Sequence, residues 1–370
     1  MLHHAAMASI LFVSKPVEPP WNDSSKNLVR DLATSLVRHR AIVLGRRGGP
    51  GLRGVETRAV HPAHGDRTGG FAPAFTDQLG VLGELALERR AELWHFFFAP
   101  NPRTSTAGRW LARARRKPSV HTVCSVPRED VALREVLFAD RTVVLSAHTE
   151  KRFRMAGVST VRIPPCVAPL ALPNATQRTE ARRALQLPVG PPLVVYPGDL
   201  EFGRGARTTL EAFARLPEGP ILAIACRAKT PAARAAEVEL RELALRRAPG
   251  RVHFLGETRR ILELLGAADV VALPSETLYA KMDYPLVLLE SMALGRPVVV
   301  AEGTAAAELG VHGAVVVPAH VEPLTSALQR LLASPEHAAR VGATGRAAAL
   351  ETFSPSAMAQ AYERVYDELL

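Results

Sequence analysis

The sequence predicts an α/β protein of two doubly wound, Rossmann-like domains, and three observations carry that reading. Short apolar runs alternate with amphipathic stretches along most of the 370 residues, the pattern of parallel strands joined by crossover helices. The alternation comes in two series, parted by a proline-rich stretch near 164–177 in which apolar periodicity lapses. The length, at 47% hydrophobic, exceeds one ordinary core and suits two. In such sheets ligands bind beyond the carboxyl ends of the strands.

The elements follow in order. Residues 10–14 read as a strand, and 24–38 as a helix with Leu28, Leu32 and Leu36 on one face. Runs at 42–44, 93–97, 120–123 and 142–145 read as further strands, with helical patterns at 75–89 and 103–115. After the linker, strands are expected at 193–196, 221–225, 252–255, 270–273, 298–300 and 314–317. Between them lie helical patterns at 206–215, 232–247, 258–267, 286–294 and 321–332. The expected domains are 7–168 and 178–352, followed by a terminal segment 353–370 with its helix at about 354–370.

Composition narrows the function. No window approaches the roughly 20 apolar residues of a membrane span, and residues 1–8 show no secretory pattern. Cys124, Cys166 and Cys226 lie far apart without paired spacing, which argues against a zinc site or disulfide framework and suits a reducing cytoplasm. Of the 46 basic residues 40 are Arg, a bias that with the Ala-rich helices reads as genome composition. The net charge of +10 is uneven: residues 1–170 hold 25 Lys/Arg against 14 Asp/Glu, and 171–370 hold 21 against 22. That asymmetry reads either as an anionic partner for the first half or as an Arg-rich solvated face.

The most informative stretch runs from Lys281 to Val300. A loop with Lys281 and Asp283 leads into a helix holding Glu290, Gly295 and Pro297 end it, and a buried strand follows. The N–H groups from about Leu286 to Leu288 are a seat for phosphate. Glu290 is placed to accept hydrogen bonds from a ribose diol, or to be a paired structural residue.

The order of segments resembles the GT-B glycosyltransferases, closest to the retaining family 4 enzymes that use nucleotide-sugars. The resemblance rests on Tyr196-Pro-Gly-Asp-Leu200 with Arg204-Gly205, on Val252 to Gly256, on Ala267 to Ser275, on Pro285 to Val300, and on Glu308 before Gly313. Together these cover nearly all of residues 190–320. The resemblance implies two Rossmann-like domains facing a cleft, an acceptor-binding first domain, a donor-binding second domain, and a last helix that crosses back to the first. It implies sugar transfer from a nucleotide-sugar to a hydroxyl acceptor (glycan, lipid or small molecule), with retained anomeric configuration and no metal or other cofactor. The alternative is a GT-B-shaped protein that binds a nucleotide or glycan without transferring sugar.

Carried over residue by residue, the resemblance assigns donor binding to Gly198, Asp199, Arg204, Leu286, Val287 and Glu290. Asp199 stands where the family has a first phosphate-binding Arg, and Met282 where it has the first of two glutamates. Lys281 and Asp283 are the expected substitutes. Asn22, Ser24, Ser25 and Lys26 occupy the family's first loop, where they either cap the next helix or line the cleft, Lys26 meeting an anion. By register, Phe98 and Cys124 fill the family's His positions, and Cys166 replaces a turn glycine. His95 reads equally as an active-site or a core residue. Residues 109–117 form a basic amphipathic segment, either a solvated helix end or a dock for anionic lipid at the inner face of the plasma membrane. No nucleic-acid reader motif is present.

Overall fold

The computed structural model describes residues 7–63, 75–127 and 131–370. Residues 1–6, most of the stretch read for a secretory pattern, lie outside them. The chain divides into two compact units. The first comprises Met1–Cys166, Tyr279–Asp283 and Ser354–Leu370, the second Val167–Leu278 and Tyr284–Phe353.

The first unit is built on seven strands: β1 (Ser9–Val13), β2 (Arg40–Arg46), β3 (Glu56–His61), β4 (Leu93–Phe98), β5 (Ser119–Val123), β6 (Arg141–Val144) and β7 (Val161–Arg162). Their order is β3-β2-β1-β4-β5-β6-β7, every pair parallel. Sequence periodicity does not reveal β3 and β7, and both are edges. Edge strands need no continuous apolar run; β3 carries Glu56, Thr57 and Arg58, and Arg58 pairs with Glu84 and Glu88.

The second unit holds β8 (Leu193–Tyr196), β9 (Ile221–Ile224), β10 (Val252–Phe254), β11 (Val270–Leu273), β12 (Val298–Ala301) and β13 (Val315–Val317). They run parallel in the order β10-β9-β8-β11-β12-β13. β8, β11 and β12 are buried along their whole length, as expected of strands covered by helices on both faces. Two further helices belong here. Ala175–Ala184 lies in the stretch read as linker, with an Asn174/Gln177 capping box. It is fastened by Arg178 and Arg182 to Asp269, at 2.5 and 2.9 Å. Its buried face is only Ala181 and Arg182, so charge rather than apolar periodicity holds it. Pro335–Glu351 packs through glycines: a Cβ on Gly345 would come within 3.2 Å of the Met292 side chain.

The last helix, Pro355–Asp367, belongs to the first unit. Its Tyr366 Oη lies 2.7 Å from His95 Nδ1, and His95 Nε2 lies 2.7 Å from Thr122 Oγ1, itself 3.0 Å from Tyr362 Oη. Glu363 accepts the N–H groups of Val37 and Arg38 at 2.7 and 2.6 Å. Asp367 lies 2.9 Å from His39 Nε2. No helix among the described residues is long and apolar enough to cross a membrane.

Two histidines in this core are expected to make the first unit less stable in acid. Burial pushes His121 down to about 4, a hydrogen bond to the Phe98 carbonyl opposing only part of the effect. Burial, aided by nearby His121, holds His95 well below the ordinary value. The unfolded chain takes up these protons from about pH 6.5 downward and the folded unit does not, so acidification favours unfolding. Between about pH 7.5 and about pH 5, His121 alone is expected to cost roughly 2 kcal/mol. All three tryptophans lie in this unit, so their fluorescence during urea unfolding reads it directly. An unchanged midpoint at the two pH values would refute the assignment.

Candidate functional site

In the second unit the strand order reverses between β8 and β11, and ligands of open parallel sheets bind beyond the carboxyl ends of strands at such a point. Two loops leave those ends, 197–204 and 274–278. Gly198 has to be glycine: a Cβ there would collide with the Tyr196 ring and come within 2.7 Å of Leu273 Cδ1. Tyr196 Oη donates to the Asp199 carbonyl at 3.1 Å.

Asp199, which stands where the resemblance implies a phosphate-binding Arg, is engaged within its own loop. Its Oδ1 accepts the N–H groups of Glu201 and Phe202 at 2.9 and 3.1 Å, and so shapes the loop. Arg204 is exposed and caps the helix Gly205–Phe213 through its backbone alone. Gly205 starts that helix hard against β11, since a Cβ there would strike Ser275 and lie 3.0 Å from Tyr196 Oη.

The helix Leu286–Ala293 starts at Pro285 with no side-chain cap. Leu288 N–H is taken by the Pro285 carbonyl at 2.9 Å, so the N–H groups of Leu286 and Val287 are those left at the helix start. Glu290 is half-buried one turn along. After β12, the helix Ala305–His312 brings Glu308 to Tyr284, whose hydroxyl donates to it at 2.6 Å. The topology thus gathers Gly198–Arg204, Leu286, Val287, Glu290 and Glu308 at one edge of one sheet.

In the first unit the loop after β1 is organised by Asp23, which the sequence reading passed over although it is the residue directly before the helix Ser24–Ser35. Asp23, not Asn22, Ser24 or Ser25, is the cap. It accepts the Ser25 and Lys26 N–H groups, the Ser25 hydroxyl at 2.6 Å and Lys15 Nζ at 2.9 Å. Burial pushes its carboxyl up, but Lys15 and these hydrogen bonds outweigh that and hold it well below the usual range. Lys26 is half-buried, 5.7 Å from the centroid of the Trp21 ring, and Arg30 lies 4.8 Å from it. Burial lowers the Lys26 pKa, with Asp23 and Glu18 opposing.

Two expected roles need revision. His95 is fully buried with both ring nitrogens within the core network described above, so it is a core residue, not a surface catalyst. Asp283 is 5% exposed and accepts the Ser146 hydroxyl at 2.6 Å. Ser146 in turn caps the helix Ala147–Met155, so the carboxylate ties segment Tyr279–Asp283 into the first unit rather than standing open to substrate. Met282 is 4% exposed and fills a buried apolar position, one that a glutamate would have to desolvate. Lys281 is half-buried in the same segment. At the two positions where the resemblance implies histidines, Phe98 stacks on His121 with centroids 4.3 Å apart, and Cys124 is a buried thiol pushed up to about 12 by burial. Among the described residues no group of three His, Cys, Asp or Glu is arranged to hold a metal ion.

Two parallel, doubly wound sheets with flanking helices, the second with a ligand edge at its switch point, are the architecture of the GT-B glycosyltransferases. The Anabaena protein HepE, solved in complex with UDP-glucose, superposes with a TM-score of 0.76 at 19% identity, over 98% of this chain and all of that one. Residues 191–334 match the family described as glycosyl transferases group 1. A D-inositol 3-phosphate glycosyltransferase of Xylanimonas cellulosilytica is 32% identical over 308 residues, 74% of this chain and 72% of that protein. A protein of the same name from Corynebacterium urealyticum is 29% identical over 221 residues, 56% of this chain and 50% of that one. The chain belongs to the group 1 glycosyltransferases. It is a transferase that moves a sugar from a nucleotide-sugar donor to an acceptor, not a binding protein without turnover.

Proposed function

We propose that this transferase retains the anomeric configuration, holds its donor on the second unit and takes an anionic hydroxyl acceptor on the first. The observation that carries the reading is the gathering of Arg204, the uncapped start of Leu286–Ala293 and Glu290 at the switch-point edge of one sheet. The leaving diphosphate gathers negative charge. Arg204 and the N–H groups of Leu286 and Val287 stabilise it. Gly198 lets the donor loop pack on Tyr196 and Leu273, and Glu290 accepts ribose hydroxyls. The scheme routes no step through a metal or other cofactor. For the acceptor, the basic excess of residues 1–170, with Lys26 and Arg30 on the helix that follows the β1 loop, supports a phosphorylated compound. The name of the Xylanimonas relative points the same way.

A cytoplasmic location, peripheral at the inner face of the plasma membrane, and the lack of a nucleic-acid partner belong to the same proposal. The helix Pro102–Arg115 has no acidic residue and exposes Arg103, Trp110 and Arg113, Trp110 at 68%. An exposed indole among arginines suits an anionic headgroup layer.

Incubation with UDP-, GDP- and ADP-sugars and phosphorylated polyols, with NMR of the product anomer, tests the main reading. An inverted product overturns retention, and transfer to neutral polyols alone overturns the anionic acceptor. Anionic vesicles are expected to blue-shift tryptophan emission in the parent and not in Trp110→Ala. Equal response to neutral vesicles would overturn the docking.

A further inference from the structure

Glu276 follows Pro274-Ser275 at the carboxyl end of β11, one strand over from the loop that carries Arg204. Its Oε1 accepts the Arg204 backbone N–H at 2.8 Å. Its Oε2 lies 3.4 Å from where a Cβ on Gly203 would stand, so the carboxylate lies against the Gly203–Arg204 peptide. The helix Gly205–Phe213 behind that peptide has no side-chain cap of its own and no acidic residue in its first turn. Glu276, arriving from a neighbouring strand, therefore supplies the anion that the positive end of the helix attracts.

We infer that Glu276 is an internal competitor of the donor's diphosphate: its carboxylate occupies the N–H that a phosphate oxygen would take, and donor binding has to displace it. This rests on the donor reading above and deepens it, because it names a residue that sets how strongly the site prefers a phosphate. Two anions cannot share one N–H at hydrogen-bond distance, and beside a helix start their repulsion is poorly screened. When the diphosphate seats, Glu276, an exposed residue on a loop, turns outward to water. The Arg204 N–H and guanidinium then both serve the phosphate. Asp199 plays no part in this competition, since its carboxylate is engaged by the N–H groups of its own loop.

The test is calorimetric titration of the full chain with UDP, GDP and ADP, the matching nucleosides serving as controls. Glu276→Gln keeps an oxygen for the Arg204 N–H and removes the charge, so the fold is retained and only the competition weakens. The best-bound diphosphate is expected to bind about five- to tenfold more tightly to Glu276→Gln than to the parent, with nucleoside affinity unchanged. Glu276→Ala, which removes the competing oxygen as well, is expected to show at least the same gain. Unchanged diphosphate affinity in both variants overturns the inference while leaving the donor reading in place. Weaker binding also overturns it, because Glu276 would then be a donor contact. Failure of the parent to bind any of the diphosphates overturns the donor reading and this inference together.

Discussion

Glu290→Gln is expected to weaken nucleotide-sugar binding by about 1.5–3 kcal/mol, the worth of a hydrogen bond to a charged group. The argument is local. Glu290 is half-buried one turn into a helix whose start has no side-chain cap. It lies one turn from the first-turn N–H groups that would hold the phosphates. The amide retains shape and helix propensity. Arg204→Ala is expected to reduce diphosphate affinity but not nucleoside affinity, which separates phosphate contact from ribose contact. Isothermal titration showing parent-like affinity in both Glu290→Gln and Arg204→Ala would mean that the donor lies elsewhere.

A larger loss is expected in stability from the terminal helix. Tyr366 is fully buried, and its hydroxyl is 2.7 Å from His95 Nδ1. Tyr366→Ala leaves a cavity and strips His95 of that partner, at a cost of about 3–5 kcal/mol. Tyr366→Phe keeps the ring and orphans only the imidazole nitrogen, costing about 1–3 kcal/mol. Urea unfolding followed by tryptophan fluorescence reads both. Equal midpoints for the two variants would mean that packing around the ring contributes nothing, against the burial observed.

The strands β8, β11 and β12 were legible in the sequence because burial on both faces demands uninterrupted apolar residues, here mostly Val. Gly198, Arg204 and Glu290 were singled out by the family resemblance of their segments, and the topology of the second sheet sets those segments beyond the carboxyl ends of its strands. Asp23 was within reach of the same reasoning, as the acceptor immediately before an amphipathic run. The edge strands β3 and β7 and the helix Ala175–Ala184 were not, since ion pairs and caps rather than apolar faces hold them.

The fates of His95, Asp283 and Glu276 needed the tertiary structure for a different reason. His95 is disarmed by Tyr366, 271 residues away, and Asp283 is engaged by Ser146, 137 residues away. Glu276 reaches Arg204 across 72 residues. Whether an ionisable side chain is a reagent, a strut or a competitor depends on which partner desolvates it or accepts its hydrogen bond. Sequence patterns carry the local periodicity that specifies strands, helices and their order; they do not carry distances between residues that meet only when the sheets assemble.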